Sequence, residues 1–188
     1  MKKVKDSVAK IGEQGYETLA EAVAAAQAEE TVTLIADATG AGVVIDKNIT
    51  IDFNGKTYTA NKGVGSTGTE TLGLQILKDN YVTLKNGTLT SEGDKVKMLV
   101  QNYANLTVVD MNLVDATGAI QYVLSNNSGN VVIKGNTNIT TDAVAFDACK
   151  YANYAIPTVT VETTGTIAGA IEVTGGNLVI KGGTYTVD

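Results

Sequence analysis

The chain of 188 residues carries a net charge of −6, and its 14 basic residues are all lysine because arginine and histidine are absent from the sequence. A protein that binds a phosphate backbone needs clustered cations, so this acidic composition argues against a nucleic-acid partner. The single cysteine, Cys149, excludes an internal disulfide, and no stretch has the length and apolar character of a membrane span.

The first thirty residues read as a segment of their own. The opening MKKVK resembles the charged start of a signal peptide, but the polar DSVAKIGEQGY follows it instead of an apolar stretch, so we predict no secretory signal. Further on, Thr18 and Glu21 have the spacing of a capping box, and helix-forming residues continue to about Glu30. We therefore predict that residues 1–30 form an N-terminal segment with a capping helix that covers the first unit of a repeat.

Residues 31–188 repeat one unit of three short strands separated by turns. Each copy has an alternating apolar run, a turn with Asn or Gly, and a Thr-rich run. The copies are NITIDFNGKTYT (48–59), VTLKNGTLT (82–90), NLTVVDMNLV (105–114), NVVIKGNTNITT (130–141), TVTVETTGTIA (158–168) and NLVIKGGTYT (177–186). Strands this short bury a core only when successive units stack with parallel strands. We predict an all-β chain, a parallel β-helix of about six coils, because a β-sandwich would show two-residue hairpins and no repeat.

An asparagine precedes the middle strand in most copies of the unit. The five positions are Asn48, Asn80, Asn105, Asn130 and Asn177. Amide side chains at one position of successive units can hydrogen-bond along the stack, as they do in other stacked sheets. We predict a structural asparagine ladder from these residues.

The stretch GYETLAEAVAAA, followed by TVTLIAD and GVVIDKNITIDFNGKTYT, resembles the opening of pectin-lyase-like right-handed parallel β-helix proteins. It is similar in character to repetitive β-helix segments of gut-bacterial surface proteins and of phage structural proteins. The specific part covers about residues 12–59, and the remaining units match as generic coils. The resemblance implies a right-handed β-helix and makes polysaccharide lyases, esterases and glycosidases relevant alternatives.

The enzymes of that superfamily use an Arg or Lys base with calcium, an Asp pair with an Arg, or a His near clustered Asp residues. This sequence contains neither Arg nor His, and its Asp residues are scattered singly, mostly at turns. Two pairs could approach each other, Asp110 with Asp115 and Asp142 with Asp147. We predict a non-enzymatic protein with no catalytic residues, no cofactor and no metal site.

Two stretches, about 60–73 and 147–157, break the length of the unit and are predicted to be loops that project from the stack. The second carries Lys150, Tyr151 and Tyr154, and Tyr103 occupies the equivalent turn two units earlier. Tyrosines give large amphipathic contacts, so we predict a partner-binding surface here, although the same rings could simply cover the flank. The absence of Trp favours a protein contact over a carbohydrate contact.

The final stretch, GNLVIKGGTYTVD, is the last copy of the unit and contains Leu178, Ile180 and Tyr185. A terminal strand without a partner tends to pair with another chain. The stretch is therefore either a docking end or the cut edge of a longer solenoid, and we favour the docking end.

Together these features predict a non-enzymatic structural or attachment protein on a particle surface, such as a phage virion decoration or fibre protein. We expect it to assemble in the host cytoplasm and to bind copies of itself or other virion proteins. The alternative is a bacterial cell-surface adhesin or carbohydrate-binding segment, for which surface carbohydrate is the partner. A polysaccharide lyase or hydrolase is the third alternative.

Overall fold

A computed structural model describes residues 7–186 of the chain. The lysine-rich opening on which the signal-peptide interpretation depends, residues 1–6, lies outside the described residues, as do the last two residues of the final unit, 187–188.

The described chain consists of one short α-helix and short β-strands, which confirms the prediction that it is all-β. The N-terminal elements are β1 (Ala9–Ile11), β2 (Gln14–Tyr16) and α1 (Leu19–Ala25). The next strands are β3 (Thr31–Leu34), β4 (Ala38–Ala41), β5 (Val43–Ile45), β6 (Ile49–Asp52), β7 (Thr57–Lys62), β8 (Leu72–Ile76), β9 (Tyr81–Ser91) and β10 (Met98–Asn102). The last are β11 (Asn105–Val114), β12 (Tyr122–Asn126), β13 (Asn130–Gly135), β14 (Asn138–Cys149), β15 (Thr158–Thr163), β16 (Thr166–Thr174), β17 (Asn177–Ile180) and β18 (Thr184–Thr186).

From β3 onward the strands pair in parallel and form three columns that the chain visits in a fixed order. The first column contains β3, β6, β9, β11, β13, β15 and β17. The second contains β4, β7, the later part of β9 and of β11, the earlier part of β14 and of β16, and β18. The third contains β5, β8, β10, β12 and the later part of β14 and of β16. The first column has one strand more than the six sequence copies because β3 also joins it.

The core lies between the columns, where the alternation of each strand directs every second side chain inward. One inward row of the first column joins Val32, Ile51, Leu84, Val108, Ile133 and Val161 in register, each fully buried. The side chains of the strands thus bury apolar surface against the units on both sides. This stacking gives the strands, many of only three to six residues, a continuous core.

The N-terminal segment covers the first unit, and its helix has the predicted capping box. The Glu21 amide donates to Thr18 Oγ1 at 3.1 Å, and the Thr18 amide donates to the Glu21 carboxylate at 3.3 Å. The prediction that the helix continues to about Glu30 is wrong, since α1 ends at Ala25. Glu29 has a φ of 68°, and its amide donates to Asn48 O in the turn before β6.

A lysine from the following unit also contributes to this helix end. The Lys47 ammonium donates to Ala24 O at 3.3 Å and to Ala26 O at 3.2 Å, which satisfies carbonyls left open by the last turn. Before the helix, β1 pairs antiparallel with both β2 and β3. The edge strand of the first column is therefore covered by the N-terminal segment.

The bend from the first column into the second is made by residues in the left-handed region. Asn86, Asp110 and Gly135 follow in-register residues of β9, β11 and β13 and have φ values of 61°, 54° and 63°. Asn, Asp and Gly tolerate this conformation best, which explains why a polar or small residue recurs here in successive units.

Candidate functional site

The corner between the third and first columns is held from inside by two buried asparagines. Asn102 and Asn126 end β10 and β12 in register and are both fully buried. Asn102 Nδ2 donates to Asn126 Oδ1 and to Ala104 O, each at 2.9 Å, and Asn102 Oδ1 accepts from the Ala104 amide at 3.1 Å. The side-chain Nδ2 of Asn126 in turn donates to Gly129 O at 2.9 Å. These bonds fix the two-residue turn that presents Tyr103 to the surface.

Gly129 lies directly against this asparagine pair. A Cβ at that position would lie 2.6 Å from Ala104 O and 2.7 Å from Asn126 Oδ1, and it would overlap Asn102 Nδ2. The corner is closely packed around the two amide side chains, so only glycine fits at the start of the next strand.

Outside this corner, the structure brings together the three tyrosines that the sequence predicted for a partner surface. The Tyr103 ring centroid lies 5.7 Å from that of Tyr151 and 6.1 Å from that of Tyr154, and the last two are 5.5 Å apart. All three pairs meet edge to face, an arrangement that aromatic quadrupoles favour. We call these three residues the tyrosine patch. Burial raises the pKa of Tyr103, whereas Tyr151 and Tyr154 remain 49% and 40% exposed.

The loop 150–157 lies back along the corner towards earlier units. The Tyr151 amide donates to Ser128 Oγ at 2.7 Å, one unit earlier, and the Tyr154 amide donates to Tyr151 O at 3.0 Å. The Tyr154 ring reaches the turn after β8, where the Lys78 ammonium lies 5.4 Å from the ring centroid. The turn after β8 lies three units before the end of β14, where the loop starts. Because neighbouring strands are about 4.8 Å apart, the two are separated by roughly 14 Å along the stack.

The cation at the patch is therefore Lys78, which the sequence did not single out. Lys150, the predicted cation, is exposed, and its backbone amide donates to Thr174 O at 3.0 Å in the next unit. The signal that could have indicated Lys78 is its place in the same corner of the stack, three units before Tyr154.

The predicted terminal residues lie on the last described unit. Ile180 continues the inward row of the first column beyond Val161, yet it is 54% exposed. Leu178 and Tyr185 are partly buried members of the neighbouring inward rows. Within residues 7–186, no strand pairs with β17 or β18 on the side away from β15 and β16. We call Leu178, Ile180 and Tyr185, with exposed Val179, the terminal surface.

The five asparagines of the predicted ladder have different environments. Asn105 and Asn130 are in register, and Asn130 Nδ2 donates to Asn105 Oδ1 at 3.2 Å. Asn48 accepts from the Tyr81 amide at 2.9 Å, and Asn80 donates to carbonyls of its own turn. Asn177 lies opposite Thr158. A further amide pair joins Asn138 Nδ2 to Asn112 Oδ1 at 3.1 Å in the second column.

One carboxylate occupies an unusual environment on the outer row of the third column. Asp147 is only 7% exposed and lies in register with Glu172. Its carboxylate accepts a hydrogen bond from the backbone amide of Asn126. Burial raises its pKa from 3.8 to about 6, and the neighbouring Glu172 carboxylate acts in the same direction. Tyr122 Oη donates to Glu172 at 3.1 Å.

The acids of the predicted pair Asp110 and Asp115 bond to backbone amides of turns. Asp115 accepts from the amides of Thr117 and Gly118 in its own turn, and Asp110 accepts from the Asn136 amide in the next unit. Asp142 is exposed on the earlier part of β14. Asp147 lies opposite Glu172 and not beside Asp142 as the sequence suggested. The signal for this pair was present, because VAFD and IEVTG occupy equivalent places in successive units.

Burial, together with Asp147 and Glu172, raises the pKa of the Cys149 thiol.

Among residues 7–186, no group of three or more Asp, Glu or Cys side chains is arranged to hold a metal ion. The one helix in the described part of the chain has seven residues, and no helix there could cross a membrane. Comparison with protein-family models, curated proteins and solved structures gives no match for this chain.

Proposed function

We propose that the chain is a right-handed parallel β-helix that serves as a non-enzymatic structural or attachment protein on a particle surface, of the phage decoration or fibre type. The parallel pairing of strands from successive units and the fixed order of the three columns support the β-helix. The resemblance of residues 12–59 to pectin-lyase-like proteins supports its hand. Such a stack is stiff along its length and offers long side faces for contacts.

A non-enzymatic role is supported by the way in which the acids are used. Asp52 accepts from the Asn54 amide at 2.8 Å and pairs with the Lys85 ammonium at 3.3 Å. Asp115 is bonded to its own turn, and Asp147 accepts from a buried amide. Arg and His, which supply the bases of most related enzymes, do not occur in the sequence.

The observation that carries the proposal is the tyrosine patch. It joins a turn of one unit to a loop that lies two units further on, and it leaves Tyr151, Tyr154 and the adjacent Ile156 between 40% and 59% exposed. Exposed, mutually packed aromatic rings beside a cation are typical of the anchors of protein–protein contacts. The asparagine pair below Tyr103 fixes the turn that carries this ring, which lowers the entropic cost of binding.

The terminal surface supports the same role. It combines the exposed Ile180 and Val179 with a strand edge that is unpaired within residues 7–186, whereas the first unit is covered by β1 and α1. Two copies that meet at this surface would form a closed, two-fold symmetric contact. We therefore propose that copies of the chain, or other surface proteins, bind at the tyrosine patch and at the terminal surface.

Sedimentation velocity over a wide range of protein concentrations tests the association. We expect the full 188-residue chain to self-associate, and we expect Tyr151→Ser/Tyr154→Ser to weaken the association roughly tenfold if the patch is the contact. Val179→Lys/Ile180→Lys tests the terminal surface in the same way. Val44→Ser, which alters an exposed apolar residue on β5, is the matched control and should change nothing.

A chain that remains monomeric at every concentration would contradict self-association. Association that both double variants leave unchanged would contradict the proposed surfaces. Circular dichroism of each variant confirms that the change in association does not come from unfolding.

A further inference from the structure

A shallow groove crosses the outer face of the first column and begins next to the corner that carries Tyr103, since Asn105 lines it. Its volume is about 290 Å³, and it runs over β6, β9, β11 and β13, with Glu29 at one end. Four strands spaced by about 4.8 Å give it a length of roughly 14 Å. We propose that this groove is a binding site for a neutral, β-1,4-linked oligosaccharide.

The first observation is an exposed aromatic ring in the groove. Tyr81 begins β9 and is 68% exposed, more than any other large apolar side chain within residues 7–186. Its backbone is held in place because its amide donates to Asn48 Oδ1 at 2.9 Å. A tyrosine that keeps most of its ring in water without a packing partner offers an apolar face on which the C–H face of a sugar ring can pack.

The second observation is a row of hydroxyls along the floor of the groove. Thr50, Thr83 and Thr107 are in register on three neighbouring strands. Within residues 7–186, their hydroxyls make no hydrogen bond to the protein, so they remain available to a ligand. Asn105 and Asn130 stand beside them and bond to each other through one amide oxygen and one amide nitrogen. The remaining amide nitrogen and oxygen of the pair can therefore bind ligand hydroxyls.

The third observation concerns charge and shape. Glu29 is the one charged residue among those that line the described groove, and the chain as a whole has a net charge of −6. An acidic polysaccharide would be repelled here, whereas a neutral one would not. The groove lies on the outer face of a sheet, which suits the extended, flat chain of a β-1,4-linked glycan better than the curved chain of an α-1,4-linked glucan.

The combination of hydroxyl and amide groups with a single exposed ring distinguishes this groove from the tyrosine patch. Polar and apolar groups line the groove in similar amounts, and Tyr81 supplies the exposed ring. This inference does not depend on the proposed surface role, because the groove and the tyrosine patch share no residue.

Titration of the full chain with cellohexaose, xylohexaose or mannohexaose, followed by NMR, tests the inference. We expect saturable shifts of the Thr50, Thr83 and Thr107 methyl signals and of the Asn105 side-chain amide with at least one of these sugars. Tyr81→Ala should weaken the binding roughly two- to tenfold, whereas Tyr81→Phe should retain it. Val44→Ser, at an exposed position of β5 outside the groove and the patch, is the control and should leave the affinity unchanged.

Three results would overturn the inference. The first is the absence of saturable shifts with all three hexasaccharides. The second is equal or tighter binding of polygalacturonate or maltohexaose. The third is movement of the same signals when only the protein concentration is raised, which would assign the groove to contacts between copies of the chain.

Discussion

Asn102→Ala is expected to lower the free energy of unfolding by about 3 kcal/mol, because it leaves two buried groups without partners. These groups are the Ala104 amide, which donates to Asn102 Oδ1, and Asn126 Oδ1, which accepts from Asn102 Nδ2. Water cannot replace the lost partner of either group, since Asn102 and Asn126 are fully buried and Ala104 is 3% exposed. Urea unfolding followed by circular dichroism measures the change.

Asn130→Ala is the matched control for this loss. It removes the hydrogen bond of an equivalent amide pair, Asn130 Nδ2 to Asn105 Oδ1, from the exposed outer face of the first column. Water can replace that bond, so we expect a change within about 0.5 kcal/mol. Equal losses in the two variants would show that burial of the Asn102–Asn126 pair is not what stabilises the corner.

Asp147→Asn is expected to stabilise the chain above neutral pH by about 3 kcal/mol, the free energy that corresponds to a pKa raised from 3.8 to about 6. A raised pKa in the folded state means that the folded chain holds the proton more tightly than the unfolded chain. The stabilising contribution of protonated Asp147 is complete below pH 3.8 and is lost as the pH rises through about 6. The Asn side chain carries no charge to bury, and its oxygen can still accept from the Asn126 amide.

The measurement is the difference in unfolding free energy between Asp147→Asn and the unchanged chain at a series of pH values from acid to slightly alkaline. Other groups titrate in both proteins, so the difference isolates Asp147 with its neighbours Glu172, Tyr122 and Cys149. Asp142→Asn, on the exposed part of the same strand, is the matched control. A difference that is constant with pH, or a variant that is less stable at alkaline pH, would contradict the account.

The repeat in the sequence predicted the strands and their parallel pairing because alternation and turn residues are local properties. Thr18 and Glu21 predicted the start of the helix for the same reason. The end of the helix was not predictable in this way. It depends on Lys47 and on the turn before β6, which reach the helix only after the first unit has formed.

The tyrosine patch was predictable in part. Tyr103 and Tyr151 occupy equivalent corners of the stack, which the unit length indicates. Lys78 contacts Tyr154 because the loop 150–157 lies back over earlier units, and no pattern in the sequence gives the direction of a loop.

The buried asparagine pair was missed although the sequence contained a signal for it. MLVQN and YVLSN both end in asparagine at the same place in successive units. Asparagine at the end of a strand is usually explained by a solvated turn, and only the stacking of units encloses these two side chains.

Cross-strand nuclear Overhauser effects in the 19.5 kDa chain test the stacking of units most directly. We expect contacts between the backbone of Val108 and that of Leu84 on one side and of Ile133 on the other, in the pattern of parallel strands. Antiparallel contacts between strands adjacent in sequence, such as β10 and β11, would instead indicate a meander or sandwich. Such contacts would contradict the β-helix and, with it, both surfaces proposed for binding.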